Sequence, residues 1–106
     1  MDKICIFCGK PAECTHHLLF GTATRKLADE DFKHGAVTAV PMCNSCHNMA
    51  NQLADRIHGN SAAEKLSKML GQAMWEIWYL TDFGDAYNAE KKAREEFMKR
   101  YGRNYL

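Results

Sequence analysis

The sequence lacks the features that would place this chain in a membrane, outside the cell or against a highly charged partner. No run approaches the ~18 consecutive apolar residues of a membrane span. The first residues, MDKIC, contain no apolar segment typical of a secretory signal. The formal net charge is only +1 at pH 7, so no overall basic field attracts nucleic acid. We therefore expect a cytoplasmic protein with no membrane partner, in which DNA binding depends on local patches and on a metal.

Internal repeats and low-complexity segments are also missing. The chain has 106 residues, the size of one small domain, and its 46% hydrophobic and 25% charged residues are typical of a globular protein. A chain this short buries only a modest core, so a bound metal would add useful stability.

Cysteine is the residue that stands out, because four of the five cysteines form two CxxC pairs, Cys5 with Cys8 and Cys43 with Cys46. In a reducing compartment such pairs are more typical of metal ligands than of disulfides. Each CxxC turn can present two sulfurs to one ion, which predicts a tetrahedral structural zinc site. The alternative is that these are unrelated buried side chains. We interpret the fifth, Cys14, as a small buried hydrophobic residue.

The first half of the chain predicts short elements. We expect brief strands at 4–7 and 15–19, a helix over 22–32 capped by Thr22 or Thr24, a strand over 36–42, and a helix that Asn44 caps and that runs toward Arg56. A knuckle, a hairpin and a helix bearing the second ligand pair describe a treble-clef arrangement.

From residue 61 the pattern becomes helical. SAAE at 61–64 fits a capping box, and the residues after it predict an amphipathic helix of roughly twenty residues that ends near Gly84. Its apolar positions are Leu66, Met69, Leu70, Met74, Ile77 and Trp78. A second helix is expected over 85–101, where Phe97 and Tyr101 can dock on one face. The aromatic residues Trp75, Trp78, Tyr79 and Phe83 favour helix packing over base stacking.

The predicted fold class is therefore α+β. We expect a zinc-stapled core over 1–58, followed by a helical hairpin over 59–106 that packs on it in a single compact domain.

The histidines lie close to the cysteine framework. His47 directly follows Cys46, whereas His16 and His17 are neighbours on a predicted strand. Since adjacent strand residues point to opposite sides, the pair should not share one metal, which favours one ligand and one residue acting on solvent. Neutral imidazole binds divalent metals, and its ordinary pKa of about 6.5 suits proton transfer. Without the cysteine motifs, we would interpret His16 and His17 as two ordinary surface side chains.

In this order, CxxC, HHLL and CxxCH resemble the HNH (His-Me finger, ββα-metal) nuclease family in its zinc-stapled form. The stretches HHLLFGTATRKLADED and EEFMKRYGRNYL are similar to small phage- or prophage-encoded members. The resemblance implies a DNA endonuclease in which His16 and His47 hold a catalytic divalent metal (Mg, Mn, Ni or Zn) and His17 is the general base. Thr38 stands where the family has an Asn that orients this base, so its hydroxyl or carbonyl would have to do so.

Further ligands are left open by the sequence. Asn51, four residues after His47, would share its helix face. His58 lies eleven residues after His47, a rise of about 16 Å on an unbroken helix, so it joins only if the helix breaks. The segment IHGN is similar to a recurrent element of these small proteins, which favours His58 as a ligand. The alternative is that His58 is a histidine at a helix end, near the last carbonyls. His34 is expected at the surface.

Phosphate contacts are predicted at Arg25 and Lys26 because of their position near the histidine pair. The basic residues of the last helix alternate with glutamates, which favours a solvated, self-paired face.

Three functions remain at this point. The first is the endonuclease. The second is a catalytically inactive treble-clef zinc module that binds nucleic acid or a phage protein partner. The third is a structural zinc domain within a phage assembly. The helical hairpin is also compatible with a homodimer.

Overall fold

The computed structural model of the chain describes residues 3–82 and 89–106. In this part the protein is α+β, with a two-stranded sheet and three α-helices: β1 (Cys14–His17), α1 (Thr22–Lys33), β2 (Ala39–Met42), α2 (Ser61–Asp82) and α3 (Ala89–Tyr101). A π-helical turn at Ser45–Met49 and a 3-10 turn at Leu53–Asp55 connect β2 to α2. Within the described ranges, no helix is both long and apolar enough to span a membrane.

The sheet consists of β1 paired antiparallel with β2, in a register that sets His16 opposite Val40. The alternation of strand residues buries His16 completely and leaves His17 partly exposed, as expected for neighbours that point to opposite sides. Both strands are shorter than predicted. The strand expected at 4–7 is reduced to one bridge between Ile4 and Pro11. Its place is taken by a knuckle turn, in which the Gly9 amide donates to the Cys5 carbonyl at 2.9 Å.

The predicted helix from Asn44 toward Arg56 is wrong, because the helical turn ends at Met49. Ala50 has extended backbone angles, φ −62° and ψ 142°, and the chain then reverses. After the reversal, the Ile57 amide donates to the Cys46 carbonyl at 2.8 Å. The His58 amide donates to the His47 carbonyl at 3.1 Å. The break thus brings His58 back beside His47.

Arg56 stabilises this reversal through its guanidinium group. Its Nη1 donates to the carbonyls of Asn48 and Ala50 at 3.2 Å each, and its Nε donates to the His58 carbonyl at 2.9 Å. Backbone acceptors that an unbroken helix would have satisfied are bound by one side chain instead.

Two predicted helix caps are also wrong. Gly21 occupies the N-cap of α1, with φ 114°, a conformation that favours glycine over the threonines that follow it. At the start of α2 the Asn60 side chain accepts the Ala63 amide at 3.2 Å, so Asn60 rather than Ser61 caps the helix. Glu64 is left to contact His58. The expected helix end near Gly84, the expected start at 85 and Phe83 lie outside the described residues.

The core has two clusters. One surrounds the cysteines with Leu18, Val40, Met42 and Ile57, and the other joins the helices through Leu19, Ala28, Ala36, Trp75, Phe97 and Tyr101. Phe97 and Tyr101 stack with ring centroids 4.5 Å apart, which confirms that they dock on one face.

Helix α2 presents an unexpected face to this core. An amphipathic helix ordinarily buries its apolar stripe. Here the buried positions are Ser67, Gly71, Gln72, Trp75 and Glu76, while Leu66, Met69, Leu70 and Ile77 are exposed. Close approach explains part of this choice, because a Cβ at Gly71 would lie only 2.7 Å from Leu19 Cγ. Hydrogen bonding explains another part, since the Ser67 hydroxyl is hydrogen-bonded both to His16 Nε2 and to the Leu18 carbonyl.

Candidate metal centres

The four CxxC cysteines lie together, with their sulfur atoms all within 4.8 Å of one another. The Cys8 and Cys43 sulfurs are 3.7 Å apart. A tetrahedral zinc ion with Zn–S bonds of about 2.3 Å requires sulfurs about 3.8 Å apart. The four side chains can therefore hold a metal such as zinc, which we call the four-cysteine centre.

The electrostatics of this centre call for a cation. Burial raises the pKa of the Cys5 thiol. Hydrogen bonds from the backbone amides of Cys43, Cys8 and Phe7 outweigh this effect and lower the pKa to about 6. Burial, followed by the neighbouring sulfurs, raises the pKa of Cys46. The Cys5 thiol thus ionises more easily than usual and the Cys46 thiol less easily, because adjacent thiolates repel each other in a partly buried site. A bound divalent cation removes this conflict and releases the protons.

A second group of side chains forms what we call the three-histidine centre. Nitrogen atoms of His16, His47 and His58 lie within 4.8 Å of one another, and the Nε2 atoms of His47 and His58 are 3.0 Å apart. The three come from different elements: β1, the π-helical turn and the segment before α2. The break after Met49 completes the group.

Hydrogen bonding fixes which nitrogen of His16 carries the proton. The Ser67 hydroxyl donates its only hydrogen to the Leu18 carbonyl at 3.0 Å. This assignment makes Ser67 Oγ, 2.7 Å from His16 Nε2, the acceptor of a hydrogen bond from that nitrogen. The lone pair of neutral His16 is consequently on Nδ1, which is buried and has no hydrogen-bond partner in the part of the chain that the structure describes.

The other two histidines follow the same logic. The Cys14 thiol donates to the Met42 carbonyl at 3.2 Å, so its sulfur accepts from His47 Nδ1 at 3.6 Å. The Glu64 carboxylate accepts from His58 Nδ1 at 3.4 Å. This assignment puts the lone pair of each ring on Nε2; the two Nε2 atoms lie 3.0 Å apart, so without a cation one of them would donate to the other.

Ring nitrogens of the three histidines thus lie within 4.8 Å of one another, an arrangement that fits a cation. Burial, with a smaller effect of His58 and His47, lowers the pKa of His16 to about 4. Burial also lowers the pKa of His47. Neutral imidazoles whose second nitrogen is held by an acceptor are the usual ligands of divalent transition metals. The orphaned His16 Nδ1 and this donor set fit such an ion.

His17 lies on the other side of β1 and contacts α1. Its Nε2 is 3.4 Å from Asp29 Oδ1, and Arg25 Nε is 3.8 Å from Asp29 Oδ2. The Thr38 hydroxyl donates to the Ala28 carbonyl at 3.0 Å instead of contacting His17. The Thr38 carbonyl accepts the Leu18 amide at 2.9 Å.

The remaining predicted site residues are spread around the two centres. Asn51 is exposed and lines a depression beside Cys8, Cys43 and Cys46, on the side of the four-cysteine centre. Arg25 and Lys26 are exposed on α1. His34 is exposed, as expected.

Four residues that contact the histidines were missed by sequence reasoning: Cys14, Asp29, Glu64 and Ser67. Ser67 lies on α2, 51 residues after His16, and no spacing rule connects the two; Glu64, also on α2, contacts His58 instead. Asp29 lies four residues after Arg25 on α1, and that helical pair was the only available signal.

Comparison with known proteins finds no matching family, no matching curated protein and no matching solved structure.

Proposed function

We propose that this protein is an HNH-type, metal-dependent endonuclease that hydrolyses DNA phosphodiester bonds. The single observation that carries the proposal is the cluster of three histidines whose ring nitrogens lie within 4.8 Å of one another, one of which, His16, precedes a fourth histidine that faces the other side of β1. The treble-clef, ββα-metal description of the strand pair and the cysteine-bearing turn is part of this proposal. It agrees with the order of CxxC, HH and CxxCH motifs.

The proposed roles follow from the tautomers. His16 Nδ1, His47 Nε2 and His58 Nε2 would hold the catalytic divalent metal, and the four cysteines a structural zinc. When bound, the catalytic ion would supply charge stabilisation at the scissile phosphate and its leaving oxygen. His17 acts as general base. Because His17 Nε2 faces Asp29 Oδ1 at 3.4 Å, the Nδ1 atom is the one proposed to take a proton from the attacking water.

Phosphate contacts come from basic residues on both sides of the histidines. Arg25 is held toward His17 by their shared partner Asp29. On the other side Lys68 Nζ lies 4.6 Å from the Phe20 ring centroid, and that ring packs edge-on against His58 at 5.0 Å. Lys68 is therefore an additional candidate beside Arg25 and Lys26.

One observation favours the second candidate function, an inactive zinc module that binds nucleic acid or a phage protein partner. The Thr38 side chain is fully buried and donates to Ala28, so it does not orient His17 as the family's Asn would. The nuclease proposal requires Asp29 to perform that role.

Plasmid cleavage tests the proposal. Purified protein is incubated with supercoiled plasmid and with Mg, Mn, Ni or Zn ions in turn. We expect metal-dependent nicking or linearisation, which His17→Ala reduces by about 10²- to 10⁴-fold. His34→Ala is the matched control, an exposed histidine outside the site that should leave the rate unchanged. Absence of cleavage with every ion would reject the enzyme and leave the binding module, which a gel-shift measurement with the same plasmid then examines.

A further inference from the structure

The face of α2 that points away from the core is apolar. We define the outer face of α2 by six residues: Leu66, Met69, Leu70, Ala73, Ile77 and Leu80. Leu66 is 63% exposed and Ile77 is 55% exposed. Exposed leucine or isoleucine side chains are ordinary when scattered, but a continuous stripe of them along one helix marks an interaction site.

The spacing of this stripe is that of a helix–helix seam. Leu66, Leu70, Ala73, Ile77 and Leu80 follow one another at intervals of four, three, four and three residues. This is the a/d repeat of a coiled coil, and it extends about 21 Å along α2. The repeat predicts another helix as the partner.

The outer face also has complementary halves. Near the N-terminus of α2, Leu66, Met69 and Leu70 form an exposed ridge. Toward the C-terminus, Ala73, Ile77 and Leu80 line a groove of about 720 Å³ that Leu106 closes on one side. The charged residues Glu76, Lys91, Arg94 and Glu95 also line this groove, with Arg94 paired to Glu76 at 3.3 Å, and protein interfaces combine apolar and polar residues in this way.

We propose that the outer face of α2 binds a second copy of this chain, with the two α2 helices antiparallel about a twofold axis at Ala73. The ridge of each copy then enters the groove of the other, so Leu66 lies opposite the partner's Leu80 and Met69 opposite the partner's Ile77. The smallest side chain of the seam, Ala73, is at the axis, where two helices approach most closely. Such a contact is isologous and closes on itself.

The size of the outer face suits a dimer of this kind. Five seam residues, Met69 and Leu106 from each of two copies bury on the order of 1,000 Å² in total, the lower limit for a specific interface. Dimerisation also leaves the histidines accessible, because Ser67, which contacts His16, lies on a different face of α2 from the seam. The proposal therefore does not depend on the nuclease activity.

The molar mass in solution tests the proposal, measured by light scattering and sedimentation over a wide range of protein concentration. We expect a wild-type dimer of twice the chain mass. Leu66→Lys and Ile77→Lys should raise its dissociation constant more than about tenfold, with unchanged circular dichroism and zinc content. Phe32→Lys is the matched control, since Phe32 is 55% exposed like Ile77 but lies on α1. A monomeric wild type, or a dimer that survives both lysine variants, would overturn the proposal.

Cysteine cross-linking supplies a second measurement that does not depend on destabilising the interface. In zinc-loaded protein, Ala73→Cys should form a reducible covalent dimer under mild oxidation, whereas wild type and Phe32→Cys should not. Leu66→Cys distinguishes the orientation, because its two copies meet only if the helices are parallel. Efficient cross-linking of Leu66→Cys, or its absence in Ala73→Cys, contradicts the antiparallel dimer.

Discussion

His16 illustrates how single residues determine the chemistry of this protein. It is fully buried, its Nε2 hydrogen is committed to Ser67, and its Nδ1 is left without a described partner. The sequence predicted His16 and His47 as ligands and made His58 conditional on a helix break. It could not predict their acceptors, because Ser67 is 51 residues from His16 along the chain and Cys14 is 33 residues from His47.

Glu64 should tune metal binding at the three-histidine centre. Glu64→Ala removes the acceptor that holds His58 Nδ1–H, so the ring loses both its orientation and part of its basicity. We expect metal affinity at this centre to fall about 10- to 100-fold, measured by calorimetric titration of protein whose four-cysteine centre is already loaded. Glu96→Ala is the control, because the Glu64 and Glu96 side chains are 33% and 35% exposed. Equal affinities for the two variants would contradict the assigned role.

The pKa of His16 predicts a pH dependence of stability when the three-histidine centre is free of metal. Its pKa is about 4 in the folded protein and 6.5 in the unfolded chain, so the unfolded chain binds more protons between these values. The contribution of His16 to the free energy of unfolding should be constant above pH 6.5 and decrease as the pH falls toward 4, by up to about 3 kcal/mol.

Urea denaturation at a series of pH values measures this effect, with His16→Gln as the comparison. The variant should show a clearly weaker decrease, since the other titrating groups are common to both proteins. Parallel curves for the two proteins would show that His16 is not responsible.

At the scale of elements, the segment between β2 and α2 is the part that the sequence predicted least well. Motif spacing identified Cys43, Cys46 and His47, but helical periodicity implied a continuous helix where the structure has a reversal. The reversal depends on backbone acceptors that the Arg56 guanidinium binds, and such side-chain-to-backbone contacts leave no periodic signal. By contrast, the existence of α1, β2 and α2 was predicted from pattern alone.

Arg56 should therefore affect metal affinity at the three-histidine centre through the backbone, because it bonds to the His58 carbonyl. Arg56→Ala removes the three hydrogen bonds that hold the carbonyls of Asn48, Ala50 and His58. We expect a roughly tenfold weaker metal affinity at the three-histidine centre, because His58 loses its fixed position next to His47. The same titration measures it, and Arg103→Ala, at an exposed site, should behave like wild type. An unchanged affinity would show that the reversal forms without Arg56.

For the whole molecule, Asp31 connects the three helices. Its Oδ2 accepts from Trp75 Nε1 at 2.8 Å, Arg100 Nε at 2.8 Å and the Tyr101 hydroxyl at 2.6 Å. Burial and this carboxylate together raise the pKa of Tyr101. The sequence predicted that the helices pack through aromatic residues, but not that a buried carboxylate ties them together. A long-range network of this kind depends on tertiary positions rather than on local pattern.

Asp31→Asn should destabilise the fold by about 3 kcal/mol, because it leaves the partly buried Arg100 charge without its closest counter-ion and weakens the hydrogen bonds of three donors at once. Glu30→Gln is a close control, since Glu30 is the adjacent carboxylate and contacts the same Arg100 at 3.6 Å while being exposed. Thermal and urea denaturation of the two variants give the comparison. Similar losses in both would indicate that Asp31 has no special role.

The central proposal is that the chain holds two metal ions at two chemically different centres, and metal stoichiometry tests it most directly. Native mass spectrometry with elemental analysis should find two divalent ions per chain in wild type after zinc loading and removal of excess metal. His16→Ala should retain one, and Cys5→Ser combined with Cys8→Ser should lose the ion of the four-cysteine centre. A wild-type protein that binds one ion, with no change in His16→Ala, would contradict the three-histidine centre and the function built on it.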